Sequence, residues 1–158
     1  MRWLLVSAVL LAASYASACE PKGKPIFRVR TSPIVDHPVP LGRGPVKTVI
    51  EIFADGAWTL SPEGREAIGG CIEPDLLGLL KKAIARARFK NVRAPTCRAL
   101  PTVDVVYEAP RRKLRVATAE SCGAPIDDGT ALAGGCARAL TDSREREPRA
   151  ACRDDEVE

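Results

Sequence analysis

The chain has 158 residues, 46% apolar and 28% charged, with a net charge of +4, which is room for one ordinary domain plus flanking segments. Only two Trp, two Tyr and three Phe are present, so the core is built from Leu, Ile, Val and Ala, a modest core that disulfides among the six cysteines would brace. None of the cysteines stands in a Cys-x-x-Cys spacing, which excludes a zinc knuckle or a thioredoxin-like redox pair of that type.

Residues 1–18 read as an export signal. Arg2 is a minimal positive start, Trp3 to Ala13 is an apolar run, and small residues follow up to Ala18. The run is too short to span a bilayer of roughly 30 Å. Residues 19–45 hold six prolines (Pro21, Pro25, Pro33, Pro38, Pro40 and Pro45) and read as a semi-rigid tether. Within it, the stretch Ile26 to Arg30 has the composition of a short edge strand.

The ordered domain is expected over 46–140. The stretch VKTVIEIF, then Asp55-Gly56, then a second apolar segment predict a hairpin with a two-residue turn. That turn sets Phe53 opposite Trp58, and a loose glycine-bearing loop then runs to Cys71. Residues 73–90, EPDLLGLLKKAIARARFK, predict a helix: Pro74 suits its first position, and Leu76, Leu80, Ile84 and Ala87 share a face with Leu77 and Ala83. A second hairpin follows, closed at 109–112, in which Tyr107 pairs with Leu114, Val105 with Val116 and Val103 with Thr118. A weaker helix begins at Asp127 or Asp128 and carries Leu132, Cys136 and Leu140, with Gly134 and Gly135 lowering its intrinsic stability. Residues 141–158, with four Arg against seven Asp plus Glu, read as a disordered tail. The two halves share a plan of strand, turn, strand, cysteine and helix. The expected fold is α+β: a four-stranded antiparallel sheet with two helices on one face, in the order β-β-α-β-β-α.

Catalytic signatures are lacking in the sequence. His37 is the only histidine and sits in the proline-rich segment without a nucleophile beside it, so it reads as an incidental surface residue. No metal-ligand motif is present, and LGRGPVK lacks the ending of a phosphate loop. The adjacent Asp127 and Asp128 read as helix capping in preference to an acidic pair. The expectation is a non-enzyme with neither cofactor nor metal. From Lys81 to Arg115 there are 11 Lys or Arg against Asp104 and Glu108. The basic surface expected from these is Lys81, Lys82, Arg86, Arg88, Lys90, Arg111 and Arg112, facing an anionic or protein partner; nucleic acid is not expected for an exported chain. The bland alternative is a solvated helix face balanced by the acidic tail.

Disulfide candidates are Cys71, Cys97, Cys122, Cys136 and Cys152. Extending the second hairpin's register brings Cys97 towards Cys122, a Cys71–Cys97 bond is nearly as good, and Cys136 with Cys152 would pin the tail. Cys19 is either a lipidation site or half of a disulfide.

The stretch Ala16-Ser17-Ala18-Cys19 resembles a bacterial lipoprotein box, although Ala16 stands where leucine is preferred. That resemblance implies a lipid on Cys19 and an anchor in a cell-envelope bilayer, with a soluble periplasmic or secreted form as the alternative. The body, through Gly70-Cys71-Ile72-Glu73-Pro74, resembles small exported proteins of Gram-negative bacteria. Its capped helix ending in Ala87-Arg88-Phe89, followed by a Val/Tyr hairpin, is similar in layout to emfourin-type metalloprotease inhibitors. The expected function is a tethered envelope binding module, with a protease inhibitor as the alternative.

Overall fold

The computed structural model describes residues 19–34, 46–92, 101–119, 124–142 and 147–153. The signal segment, His37, Cys97 and Cys122, and with them the expected Cys97–Cys122 bond, lie outside that set; the alternative Cys71–Cys97 bond is overturned, because the Cys71 sulfur is taken by Cys19.

Period-two alternation produces an antiparallel sheet. Its strands are β1 (Phe27–Pro33), β2 (Thr48–Ile52), β3 (Ala57–Pro62), β4 (Ile68–Cys71), β5 (Val103–Ala109) and β6 (Arg112–Thr118), in the order β4-β3-β2-β1-β5-β6. Phe27, Val29, Ile50, Ile52, Val105, Tyr107, Leu114 and Val116 line one face of the sheet and are buried. Helix α1 (Pro74–Arg86) and helix α2 (Asp128–Thr141) share one core with that face. A third helix, α3 (Pro148–Ala151), is a single turn near the C-terminal end of the described chain. The α+β class holds, with six strands and three helices among the described residues where four and two were expected.

The largest correction concerns the tether. β1 lies at the centre of the sheet, paired antiparallel with β2 on one side and β5 on the other. The prolines do not prevent this, because residues 26–32 are proline-free and Pro33 falls at the strand's last position. The two expected hairpins are therefore bridged by β1 and do not pair directly with each other.

The second hairpin has the expected register, with Tyr107 opposite Leu114 and Val105 opposite Val116. In the first, the register is shifted by one residue: Ile52, not Phe53, faces Trp58. The loop holds three residues, closed by Phe53 N donating to Ala57 O (2.9 Å) and Gly56 N donating to Phe53 O (3.1 Å). Gly56 has φ +91°, and Asp55 Oδ1 accepts from Ala57 N, so the turn uses glycine at the third loop position. Beyond it, the segment expected as a loop supplies β4. A Cβ on Gly70 would stand 2.9 Å from Trp58 Nε1, so glycine lets the indole lie against this edge strand.

Helix α1 buries Leu76, Leu77, Leu80, Ala83 and Ile84 as expected but ends at Arg86, short of the expected Lys90. Ala87 is its C-cap, buried beyond the last turn, and Phe89 at φ +55° does not continue the helix. In α2 the expected stripe is only partly realised: Cys136 is buried, while Leu132 and Leu140 are partly so. The expected tail is also corrected for its first part. Thr141 closes α2 with its hydroxyl donating to Ala137 O, and Cys152 after α3 is buried and bonded to Cys136 (S–S 1.98 Å).

Candidate binding surface

The site is built around a short turn. Ala109 pairs with Arg112, leaving Pro110 and Arg111 as the loop. Pro110 has its φ fixed by its ring and Arg111 sits at φ +63°, the combination of a type II turn, in which glycine usually occupies the second place. Arg112, the first residue of β6, turns back to α1. Its guanidinium donates to Ala87 O (2.7 Å) and Ile84 O (3.2 Å) and lies 4.8 Å from the centre of the Phe89 ring. It thus satisfies carbonyls that the helix end leaves unpaired, and the ring's face adds an attraction for the cation. This contact joins the basic end of α1 to the basic turn of the second hairpin.

The face of the sheet opposite the helices carries an ion-pair row. Register aligns Thr59, Glu51, Arg28, Glu108 and Lys113 across five strands. Arg28 donates to Glu51 Oε1 through Nε (2.8 Å) and to Glu108 Oε2 (3.2 Å); Lys113 Nζ lies 3.1 Å from Glu108 Oε1. Arg30, from the next row, also reaches Glu108, and Arg115 pairs with Asp104. Partial burial pushes the Glu108 carboxyl up, but hydrogen bonds from Lys113, Arg28 and Arg30 outweigh it and hold it below the usual carboxylate range.

Where the row meets the turn there is a cleft of about 770 Å³. Its charged lining is Lys24, Arg28, Arg111, Arg112 and Lys113 against the single carboxylate of Glu108. Of the expected basic residues, Lys82, Arg86, Arg88, Lys90 and Arg111 are exposed. Lys81 is exposed as well, and its Nζ donates to Ala54 O in the first hairpin's loop (2.9 Å). Arg112 is engaged structurally and is not a free surface charge. Lys24 and Arg28 were missed as site residues because the proline-rich segment was read as a tether. The signal that finds Arg28 is the alternation in Phe27-Arg28-Val29-Arg30, apolar inward and basic outward, whereas Lys24 precedes the strand and carries no such signal.

The acidic pair separates into one structural and one surface residue. Asp127 is the N-cap of α2, and Asp128 is exposed. Partial burial opposes ionisation of Asp127, yet the amides of Arg88, Lys90 and Thr130 and the Thr130 hydroxyl lower it to about 2. Its charge is committed to holding the chain that leaves α1 against the start of α2. Among the described residues, no group of three His, Cys, Asp or Glu side chains is placed to hold a metal ion, and no helix is long and apolar enough to cross a membrane.

Cys19 is bonded to Cys71, with S–S 2.08 Å and Cα–Cα 5.2 Å. A thioether lipid on Cys19 and this disulfide need the same sulfur and exclude one another. No family model matches the chain, and no curated protein or solved structure is significantly similar to it.

Proposed function

We propose that the protein is an exported, non-enzymatic binding module that meets an acidic partner through the basic end of its α+β domain. The observation that carries this reading is the Arg112 contact, which ties the chain leaving α1, where Arg88 and Lys90 are exposed, to the hairpin turn that carries Arg111 and Lys113. Positive charge from separate stretches of chain is thereby concentrated at one place, where it attracts anions over the Debye length of roughly 10 Å. Disulfides are the chemistry of an oxidising compartment, which supports export. The Cys19–Cys71 bond favours a soluble periplasmic or secreted form over one anchored by a lipid on Cys19. The inhibitor alternative finds less support, because the Asp55-Gly56 turn does not stand free. Gly56 lies against Ile72 and Leu77, and Lys81 holds the Ala54 carbonyl.

Retention on an anionic matrix tests the reading. Lys82→Ala with Lys90→Ala is compared with Lys47→Ala with Arg65→Ala, which removes equal charge from exposed positions at the far end of the sheet. The first pair should elute at clearly lower salt than the second. Equal elution means that only net charge is felt, and the reading falls.

A further inference from the structure

We propose that the cleft beneath the second hairpin's turn is an oxyanion site, taking a phosphoryl group or paired carboxylates between Lys24, Arg111 and Lys113. The inference rests on the binding-module reading and names the ligand chemistry of one part of that surface. Its argument begins with which charges are already committed. Arg28 is held by Glu51 and Glu108, and Arg112 by the carbonyls of α1. Both line the cleft with their charge already engaged. Among the described residues, Lys24 and Arg111 have no ion pair. Lys113 is 61% exposed and shares Glu108 with two arginines that already satisfy it. The concave wall therefore presents two cations without an ion pair and a third, Lys113, that shares its carboxylate with two arginines. A concavity with an excess of one sign focuses the field on whatever enters it.

The second observation is Arg111 itself. A non-glycine residue at φ +63° is strained, and glycine would fill this turn position at lower cost. Strain kept where an easier residue exists is a mark of sites selected for more than folding. Placed there, the guanidinium stands at the tip of the turn, on the rim of the cleft. Its planar fork of donors suits phosphoryl or carboxylate oxygens. An anion that enters recruits Lys113 from Glu108, and Glu108 is the one group in the cleft that opposes it.

The test titrates the oxidised mature protein with inorganic pyrophosphate and, separately, with a hexaglutamate peptide, following amide resonances and heat. Saturable binding of either probe, with shifts centred on Lys24 and 109–113, is expected; the probe that binds identifies phosphoryl or carboxylate as the source. Arg111→Gly should weaken binding about tenfold, the scale of losing one charge-assisted hydrogen bond, while the melting temperature holds or rises. Glu108→Gln should tighten binding several-fold by releasing Lys113, and Lys47→Ala, far from the cleft, should leave it unchanged. Because Arg111→Gly relieves the turn, lost binding in that variant cannot be blamed on misfolding. Absence of saturable binding, or wild-type affinity in both Arg111→Gly and Lys24→Ala, overturns the proposal. If that happens while the Lys82 and Lys90 variant still elutes early, the cleft is removed and the broader basic surface stands.

Discussion

Asp127 accepts four hydrogen bonds on two oxygens: Arg88 N and Thr130 N on Oδ1, Lys90 N and the Thr130 hydroxyl on Oδ2. It caps α2 and at the same time holds the chain leaving α1, so one carboxylate fixes the crossing of the two helices. An amide cannot replace it, since the NH2 of asparagine would face two donors. Asp127→Asn should therefore cost about 1–2 kcal/mol in urea unfolding at pH 7. The pH dependence follows from a folded pKa of about 2 against an unfolded value near 3.9. A carboxylate whose pKa is lowered on folding stabilises the protein above its unfolded pKa. That contribution is lost as pH falls from about 4 through about 2, and is about 1 kcal/mol once solvent screening is allowed for. Urea midpoints between pH 5 and pH 2 should fall less in Asp127→Asn than in the wild type. An identical fall in both would mean that other carboxylates carry the acid sensitivity.

At the scale of elements, the two helical glycines of α2 behave as opposites although they are neighbours. A Cβ on Gly134 would lie 2.5 Å from Tyr107 Cε1, a collision with a ring fixed in the core, whereas one on Gly135 meets nothing within 4 Å. Gly135→Ala should stabilise the fold by about 0.5–1 kcal/mol through helix propensity alone. Gly134→Ala gains the same propensity but must displace Tyr107, and should be destabilising by about 1–3 kcal/mol. Denaturant melts with opposite signs for the two variants check this; equal signs would mean that Tyr107 yields freely. Propensity alone treats both glycines as defects, which is why the sequence is silent on the helix-to-sheet contact. The second hairpin was legible because its apolar residues fix register from both strands and its loop length leaves one solution. The first was legible as a hairpin but not in register: Asp55-Gly56 suits both a two-residue turn and the last two positions of a three-residue loop. β1 was obscured by the prolines around it, and with it went Lys24 and Arg28 of the cleft. β4 was hidden because Ile68-Gly69-Gly70-Cys71 lacks strand propensity and forms by lying beside Trp58.

The whole molecule is closed by its cysteines. Cys19 is tied to Cys71 at the end of edge strand β4, across a sequence separation of 52, and Cys152 to Cys136 across 16. Both ends of the described chain are thereby fastened to the domain. On loop length alone, the longer closure restricts the unfolded chain by about 4 kcal/mol and the shorter by about 3 kcal/mol. A domain with few aromatics and two helices on one face of its sheet depends on such restriction. Cys19 directly follows Ala16-Ser17-Ala18, so a cut there makes it the first residue of the mature chain, with an Sγ that accepts either a lipid or Cys71. The two products differ in mass and in thiol count. The disulfide form predicts an unreduced mature protein beginning at Cys19, without acyl mass. It is six hydrogens lighter than the fully reduced chain once Cys97 and Cys122, the remaining two cysteines, pair in the same compartment. Cys19→Ser should then expose one thiol, Cys71, to alkylation and lower the denaturation midpoint without changing where the protein is found. Added acyl mass in the wild type, with Cys71 alkylated before any reduction, would instead mean that the lipid takes the sulfur and that β4 is held without the clamp.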